Sequence, residues 1–341
     1  MKGISVIGID LAKNIFQIHA ADREGNCLLN KAIRRHNLKS FFRNLEPCLI
    51  GMEACGSAHY WARELRSLGH DVRLMPPQYV KPYVKTNKSD VADAEAICEA
   101  VVRPNMRFVD IKSVDQQSVL LLHRERDGLT KERTALINRF RATLAEFGIV
   151  IPVGAHRLKQ WMTTDYSMVE GELSPIMQRH IRRMQGRLRE LEEVVSALDQ
   201  ELNSYSKNTE ACQRLEAVPG IGRLTATAVV ASIGNGKCFV NARQFSAWLG
   251  LVPKQHSSGG KTCLLGISKR GDAYLRRMFI HGARAVLRHM NPKRLVTNWL
   301  SELSARRHRN VVIVALANKL ARIAWAMLYH HRSYNEHYQV V

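Results

Sequence analysis

Four acidic residues are spaced as a site for hard cations on a phosphodiester would need. Asp10 closes an apolar run at 4–10, and Glu53 follows a second at 48–52. Asp90 and Asp93 open a helical stretch three residues apart, so their side chains share one face. Mg²⁺ takes oxygen ligands, and clustered carboxylates from several elements supply them. Two such ions, one on the attacking and one on the leaving oxygen, would drive phosphoryl transfer. A bound cation also relieves the mutual repulsion of close carboxylates. The plainer reading makes Asp90 a helix N-cap and Asp93 its partner in the first turn. Asp10 and Glu53 resist such a reading, since an unpaired carboxylate buried after an apolar strand is costly.

Two glycine-bearing segments could meet phosphate. Pro219-Gly220-Ile221-Gly222 precedes a helical stretch and resembles the turn of helix-hairpin-helix modules, where backbone N–H groups at a helix start bind phosphate. A plain tight turn is its bland alternative. Gln255-His256-Ser257-Ser258-Gly259-Gly260-Lys261 lies amid Lys254, Lys269, Arg270, Arg276 and Arg277. It reads as a phosphate-contacting loop; a serine there could also attack phosphorus. The spacing is not that of a P-loop, and the histidines show no regular metal-ligand spacing.

The elements holding these residues fall in three segments. Residues 1–112 read as α/β: strands at 4–10, 15–20 and 27–34, a helix at 37–45, a strand at 48–52, a helix at 58–68, a strand at 71–75 and a helix at 90–101. This order matches an RNase H-like domain. Residues 113–206 read as helical. Met177, Ile181, Met184, Leu188, Leu191, Val195, Leu198 and Leu202 form a heptad seam, either of an intramolecular helical hairpin or of a dimerising coiled coil. Residues 207–341 read as a mainly helical basic domain, interrupted by loop composition at 250–271, which holds five glycines.

Charge separates the same segments. Lys and Arg number 51 against 30 Asp and Glu, a net charge of +21 in 341 residues. Segment 1–112 carries 17 basic against 12 acidic residues (+5), 113–206 carries 13 of each, and 207–341 carries 21 against 5 (+16). Solubility needs no such segregation, whereas a polyanion surface does. Seven scattered cysteines without a C-x-x-C pair argue against a disulfide framework or zinc site and for a reducing compartment. No apolar run follows a basic start, and the apolar stretch at 311–328 is broken by Asn318, Lys319 and Arg322. The expectation is a cytoplasmic protein without a membrane partner, at the nucleoid when bound to DNA.

Several segments together resemble the insertion sequence 110 family of transposases, in detail its 1111 subgroup. They are Gly8-Ile9-Asp10-Leu11-Ala12-Lys13, Gly51-Met52-Glu53-Ala54-Cys55-Gly56, and Lys85-Thr86-Asn87-Lys88-Ser89-Asp90-Val91-Ala92-Asp93-Ala94. Further on come Val218-Pro219-Gly220-Ile221-Gly222, Trp248-Leu249-Gly250-Leu251-Val252-Pro253, Ser257-Ser258-Gly259-Gly260-Lys261 and Gly266-Ile267-Ser268-Lys269-Arg270-Gly271-Asp272. The resemblance implies a RuvC-like N-terminal domain whose DEDD tetrad falls on Asp10, Glu53, Asp90 and Asp93, with Mg²⁺ as cofactor, two ions being expected. It also implies a C-terminal serine that becomes covalently linked to a DNA end. The serine stands just before a glycine, eight residues after the Gly of Gly-Leu-x-Pro, which gives Ser258, with Ser257 adjacent.

The implied partners are double-stranded donor and target DNA, a non-coding bridge RNA that pairs with both, and further copies of the chain, as dimers and as tetramers on synapsis. Lys13, Lys85, Lys88, Gly220, Gly222, Lys254, Lys261, Lys269, Arg270 and Arg276 are the expected nucleic-acid contacts. The expected activity is excision and site-specific insertion of a mobile element. Its rivals are a resolvase or nuclease that uses water and needs no serine, and a nucleic-acid-binding protein without catalysis.

Overall fold

The computed structural model describes residues 3–85, 89–289 and 298–335. The chain divides into two compact units, Met1–Val114 and Asp115–Val341.

The first unit runs β1 (Val6–Asp10), β2 (Ile15–Ala21), β3 (Cys27–Arg34), α1 (Leu38–Arg43), β4 (Leu49–Glu53), α2 (Ala58–Ser67), β5 (Asp71–Met75), α3 (Pro77–Val80) and α4 (Asp90–Val101). Its five strands form one mixed sheet in the order β3-β2-β1-β4-β5. The first three strands are antiparallel, while β4 lies parallel to β1 and β5 parallel to β4.

Alternation along β1 sets the two faces. Ile7 and Ile9 enter a core with Phe16, Ile18, Phe42, Trp61 and Leu65, and so face α1 and α2. Val6 packs with Ala96, Ile97, Cys98 and Val101 of α4. Gly8 shares that second face, and a Cβ there would lie 2.2 Å from the Ala94 carbonyl oxygen and 2.4 Å from the Cys98 backbone nitrogen. Gly51, paired with Gly8, would meet the Val101 Cβ at 2.8 Å. The two glycines thus let α4 lie directly on the sheet.

In the second unit, α5 (Val114–Ala145) is followed by α6 (Ala155–Gln160), a π-type turn at Trp161–Asp165, and α7 (Tyr166–Val169). Then comes α8 (Pro175–Lys207), whose first turn is capped by Ser174 accepting from the Met177 N–H at 3.3 Å. All eight residues of the heptad seam are buried. Its first part packs against Leu136, Ile137, Phe140 and Leu144 of α5, together with Leu158 and Trp161. Arg126–Asp199 (2.5 Å) and Arg187–Glu132 (2.8 Å) tie the same two helices. The chain itself covers this stripe, the first of the two readings the heptads allow.

The basic segment continues as α9 (Glu210–Glu216), α10 (Arg223–Ile233), α11 (Ala242–Trp248), β6 (Pro253–Ser258), β7 (Lys261–Ile267), α12 (Ala273–His289), α13 (Asn298–Arg306) and α14 (Arg309–Tyr329). By length and composition α14 is apolar enough to cross a membrane. Its Val312, Ile313, Leu320, Trp325 and Leu328 instead sit in the core with Leu215, Phe245, Leu275 and Phe279. Two elements differ from the sequence expectation. Residues 250–271 are not a loop, because β6 and β7 pair antiparallel from Ser258↔Lys261 back to Pro253↔Ile267. Their exposure on both faces removes the apolar alternation that marks a strand. Helix α13 is also unanticipated.

Candidate active site

Asp10 stands two residues beyond Gly8 on β1, and Glu53 two beyond Gly51 on β4. The period of two puts both carboxylates on the α4 face of adjacent parallel strands, at their carboxyl ends. Both are half-buried. Cys55 registers their closeness. Its thiol is pushed up from its ordinary value by the atoms crowding it, then by the charges of Glu53 and Asp10.

Helix α4 runs antiparallel to β1, since Ala94 lies over Gly8 while the Cys98 thiol points at the Val6 carbonyl (3.9 Å). Its first turn, with Asp90 exposed and Asp93 half-buried, therefore overhangs the end of the sheet where Asp10 and Glu53 stand. Capping does not occupy either acid. Ser89 is the N-cap, its hydroxyl accepting from the Ala92 N–H at 3.2 Å, which corrects the reading of Asp90 as the cap. The four acids offer carboxylate oxygens, the chemistry a hard divalent cation requires. Among the described residues no three acids, histidines or cysteines are yet close enough to hold an ion.

Ser257 and Ser258 end β6, both exposed. Gly259 and Gly260 alone link the strands, with φ of +55° and +77°, the left-handed pair that a two-residue hairpin turn of the right twist demands. At the base, Gly250 and Gly271 interlock. A Cβ on Gly271 would fall 1.8 Å from the Trp248 carbonyl oxygen, and one on Gly250 2.3 Å from that of Arg270. The Lys269 N–H donates to the Gly250 carbonyl at 3.2 Å and the Ser268 N–H to that of Val252 at 2.8 Å. The two motif segments that flank the hairpin thus clasp each other and hold the serine tip out from the unit.

Family models of known proteins match segments that include both regions. A family model described as "Transposase IS116/IS110/IS902 family" matches residues 212–297, and a DEDD transposase model of IS110 matches 7–149. A "Probable family 20 transposase" of Pseudomonas aeruginosa is 49% identical over 95% of this chain and 97% of its own length. The transposase for insertion sequence element IS1328 of Yersinia enterocolitica is 43% identical, over 96% and 97%. That for IS1111A of Coxiella burnetii is also 43% identical, over 98% and 92%. The chain belongs to the IS110/IS116/IS902 family of transposases. It is a DNA transposase, so its substrate is DNA and its reaction is transposition.

The remaining expected contacts of the transposase divide by what they already touch. Gly220, at φ +93°, abuts α12, where a Cβ on Gly282 would come within 1.9 Å of its carbonyl oxygen, so close packing explains this glycine. Gly222 is exposed as the N-cap residue of α10. Lys13, Lys254, Lys261, Lys269 and Arg270 are exposed, Lys269 with a φ of +54°. Lys85 pairs with Glu95 (3.1 Å) and Glu99 (3.2 Å), which raises its pKa. One guanidinium nitrogen of Arg276 donates to the carbonyls of Leu249 (3.0 Å) and Arg270 (2.9 Å), bracing the hairpin base. Lys88 lies outside the described residues.

Sequence reasoning passed over two features. One is a buried polar cluster: His123 Nδ1 lies 2.9 Å from the Tyr274 hydroxyl and Nε2 3.0 Å from the Thr227 hydroxyl. Burial, then Arg126, pushes His123 down to about 4, and burial pushes Tyr274 up to about 12. No spacing in the sequence joins these three helices. The other is a basic and aromatic cleft in the first unit. Its only signal is the run Arg34-Arg35-His36 at a strand end.

Proposed function

We propose that Asp10, Glu53, Asp90 and Asp93 form a RuvC-like DEDD site for Mg²⁺, with two ions when filled, and that Ser258 is the nucleophile of strand exchange. The observation that carries this reading is the placement of Asp10 and Glu53 on one face of paired strand ends, beneath the first turn of α4. When bound, the metal would supply Lewis acidity and neutralise charge on the phosphate. The four carboxylates would orient it and exclude competing ligands.

In cleavage the Ser258 Oγ gives up its proton and forms a bond to phosphorus. The P–O3′ bond breaks, and the departing 3′ oxygen takes a proton. Rejoining reverses the step: a 3′-hydroxyl of another strand attacks the phosphoserine, and Ser258 regains its proton. Supporting the serine are its exposure at a hairpin tip and the clasped base that fixes the hairpin's direction. Ser257, its neighbour, pairs across the hairpin with Thr262 and accepts from Gln255 at 2.8 Å.

The reading includes a bridge RNA that pairs with donor and target, with the +16 segment holding nucleic-acid backbones. It also includes a dimer, and a tetramer on synapsis, built on surfaces other than the α8 seam that the chain already covers. Residues 1–112, 113–206 and 207–341 would then act as catalytic, connecting and DNA-joining segments.

Trapping the covalent protein–DNA complex tests the chemistry. Labelled element ends, Mg²⁺ and the element's flanking RNA are mixed with wild type, Ser257→Ala, Ser258→Ala and Asp10→Asn, then run on a denaturing gel. The adduct should vanish with Ser258→Ala and with Asp10→Asn and persist with Ser257→Ala. Cleavage without adduct, equal in all four proteins, would instead mean hydrolysis by water and neither role.

A further inference from the structure

An open cleft of about 830 Å³ lies at the same end of the sheet as Asp10, on the face that carries α2. Arg34, Arg35, His36, Lys39, Tyr60 and Trp61 line it. Its walls grow out of the catalytic strands. The loop after Asp10 carries Lys13 and reaches Asn14, whose carbonyl accepts from the Arg35 N–H at 2.8 Å. The loop after Glu53 leads into α2, where Tyr60 and Trp61 stand in the first turn.

The cleft gathers cations without acids. Among the described residues no Asp or Glu lines it. Lys39 is offset by Glu64 at 2.5 Å, while Arg34 and His36 make no ion pair among the described residues. Arg35 is held flat, its guanidinium 5.6 Å from the Phe16 ring centre and 5.4 Å from that of Trp61, with Nη1 donating to the Lys13 carbonyl at 3.3 Å. Arg34, Arg35 and Lys39 place three cations around one cleft, a setting that favours an anion. Trp61, 5% exposed, forms part of the wall, its indole packed against the Phe16 ring. Tyr60, 45% exposed, offers an aromatic face at the rim. A fixed guanidinium, exposed basic side chains without an ion pair and an aromatic face together suit a nucleotide unit: phosphate on the cations, base on the ring.

We propose that this cleft binds a backbone phosphate and an adjacent base of the DNA strand that is cut at the DEDD site, holding that strand on the α2 face as it passes to the α4 face. The inference rests on the proposed role of Asp10 and Glu53, because that role makes DNA rather than RNA the strand at this end of the sheet.

A phosphate scan tests it. Duplexes of the element's end, each with one neutral methylphosphonate, are titrated with full-length protein and its RNA in EDTA, so that nothing is cut. Wild type should lose about tenfold in affinity at one or two phosphates within a helical turn of the cleaved bond. The double variant Arg34→Gln/His36→Gln should bind unmodified DNA about that much more weakly, show no further loss at those phosphates, and have a salt dependence shallower by about one to two. Both side chains are exposed, so its melting temperature should match wild type; Arg34→Lys/His36→Gln should regain part of the phosphate sensitivity. Tyr60→Ala should weaken binding while leaving the sensitive phosphates the same. An unchanged phosphate pattern in Arg34→Gln/His36→Gln, or none in wild type, overturns the proposal. So does weakened RNA binding with DNA binding intact. Asp10→Asn separates the two readings: it should keep the phosphate pattern and lose cleavage, whereas an Asp10→Asn protein that cleaves sinks the DEDD reading and leaves the measured phosphate contacts standing.

Discussion

Replacing Gly8 by alanine adds one methyl group at the point where α4 touches β1. That Cβ would meet two backbone atoms, the Ala94 oxygen at 2.2 Å and the Cys98 nitrogen at 2.4 Å, and neither can rotate away. Ordinary van der Waals separation requires the helix to withdraw by about 1 Å. Overpacking of this kind costs about 1–3 kcal/mol, and in a unit near 100 residues each kcal/mol lowers the melting temperature by roughly 4–8 °C. The same withdrawal lifts Asp90 and Asp93 away from Asp10 and Glu53, and a misplacement of about 1 Å can cost about 100-fold in rate. Single-turnover cleavage of labelled element ends should thus slow about 100-fold in Gly8→Ala, while DNA affinity, which the proposed function assigns mainly to the +16 segment, should change less than about twofold. Gly51→Ala meets a side chain, Val101, at 2.8 Å and should be milder on both counts. A Gly8→Ala protein that melts and cleaves like wild type would show that α4 does not rest on this glycine and that its first turn is not held where described.

Two further outcomes follow from the second unit. His123 is buried neutral, so the unfolded chain takes up its proton near 6.5 and the folded chain only near 4. Stability in urea should therefore fall as pH drops from about 6.5 to 4, by about 3 kcal/mol at full extent, and His123→Gln should flatten that dependence; parallel pH profiles for the two proteins would refute the assignment. At the hairpin, Gly271→Ala should abolish the serine adduct and cost more than about 2 kcal/mol, because φ is +73° and the Trp248 oxygen occupies the Cβ position. Gly259→Asn, in open space and in a turn conformation asparagine accepts, should stay within about 0.5 kcal/mol of wild type and keep the adduct. Equal losses in both would mean that the tip, not the clasp, sets the geometry.

Much of this protein is legible in its sequence. Short continuous apolar runs before Asp10 and Glu53 mark β1 and β4, strands buried on both faces, and the eight-residue heptad stripe marks α8, because burial of one helix face imposes its period on the chain. The segregated +16 charge pointed to a polyanion, since long-range electrostatics depends on composition more than on fold. The family motifs point to the acids and the serine that the proposed function uses.

Tertiary structure decided what depends on distance between elements. It shows why Gly8 and Gly51 are glycines: their missing side chains are the contact surface for a helix more than 40 residues further along the chain. It turned 250–271 from a loop into a hairpin, because strands exposed on both faces carry no hydrophobic period to read. It placed the heptad seam against α5 within one chain, a choice between partners that the same stripe of leucines leaves open. It gathered Arg34, Arg35, His36 and Lys39 beside Tyr60 and Trp61, which are far apart in sequence and adjacent only because β3 ends where α2 begins. Periodicity is a local property of the chain and survives in the sequence; contact between distant segments is a property of the folded state and does not.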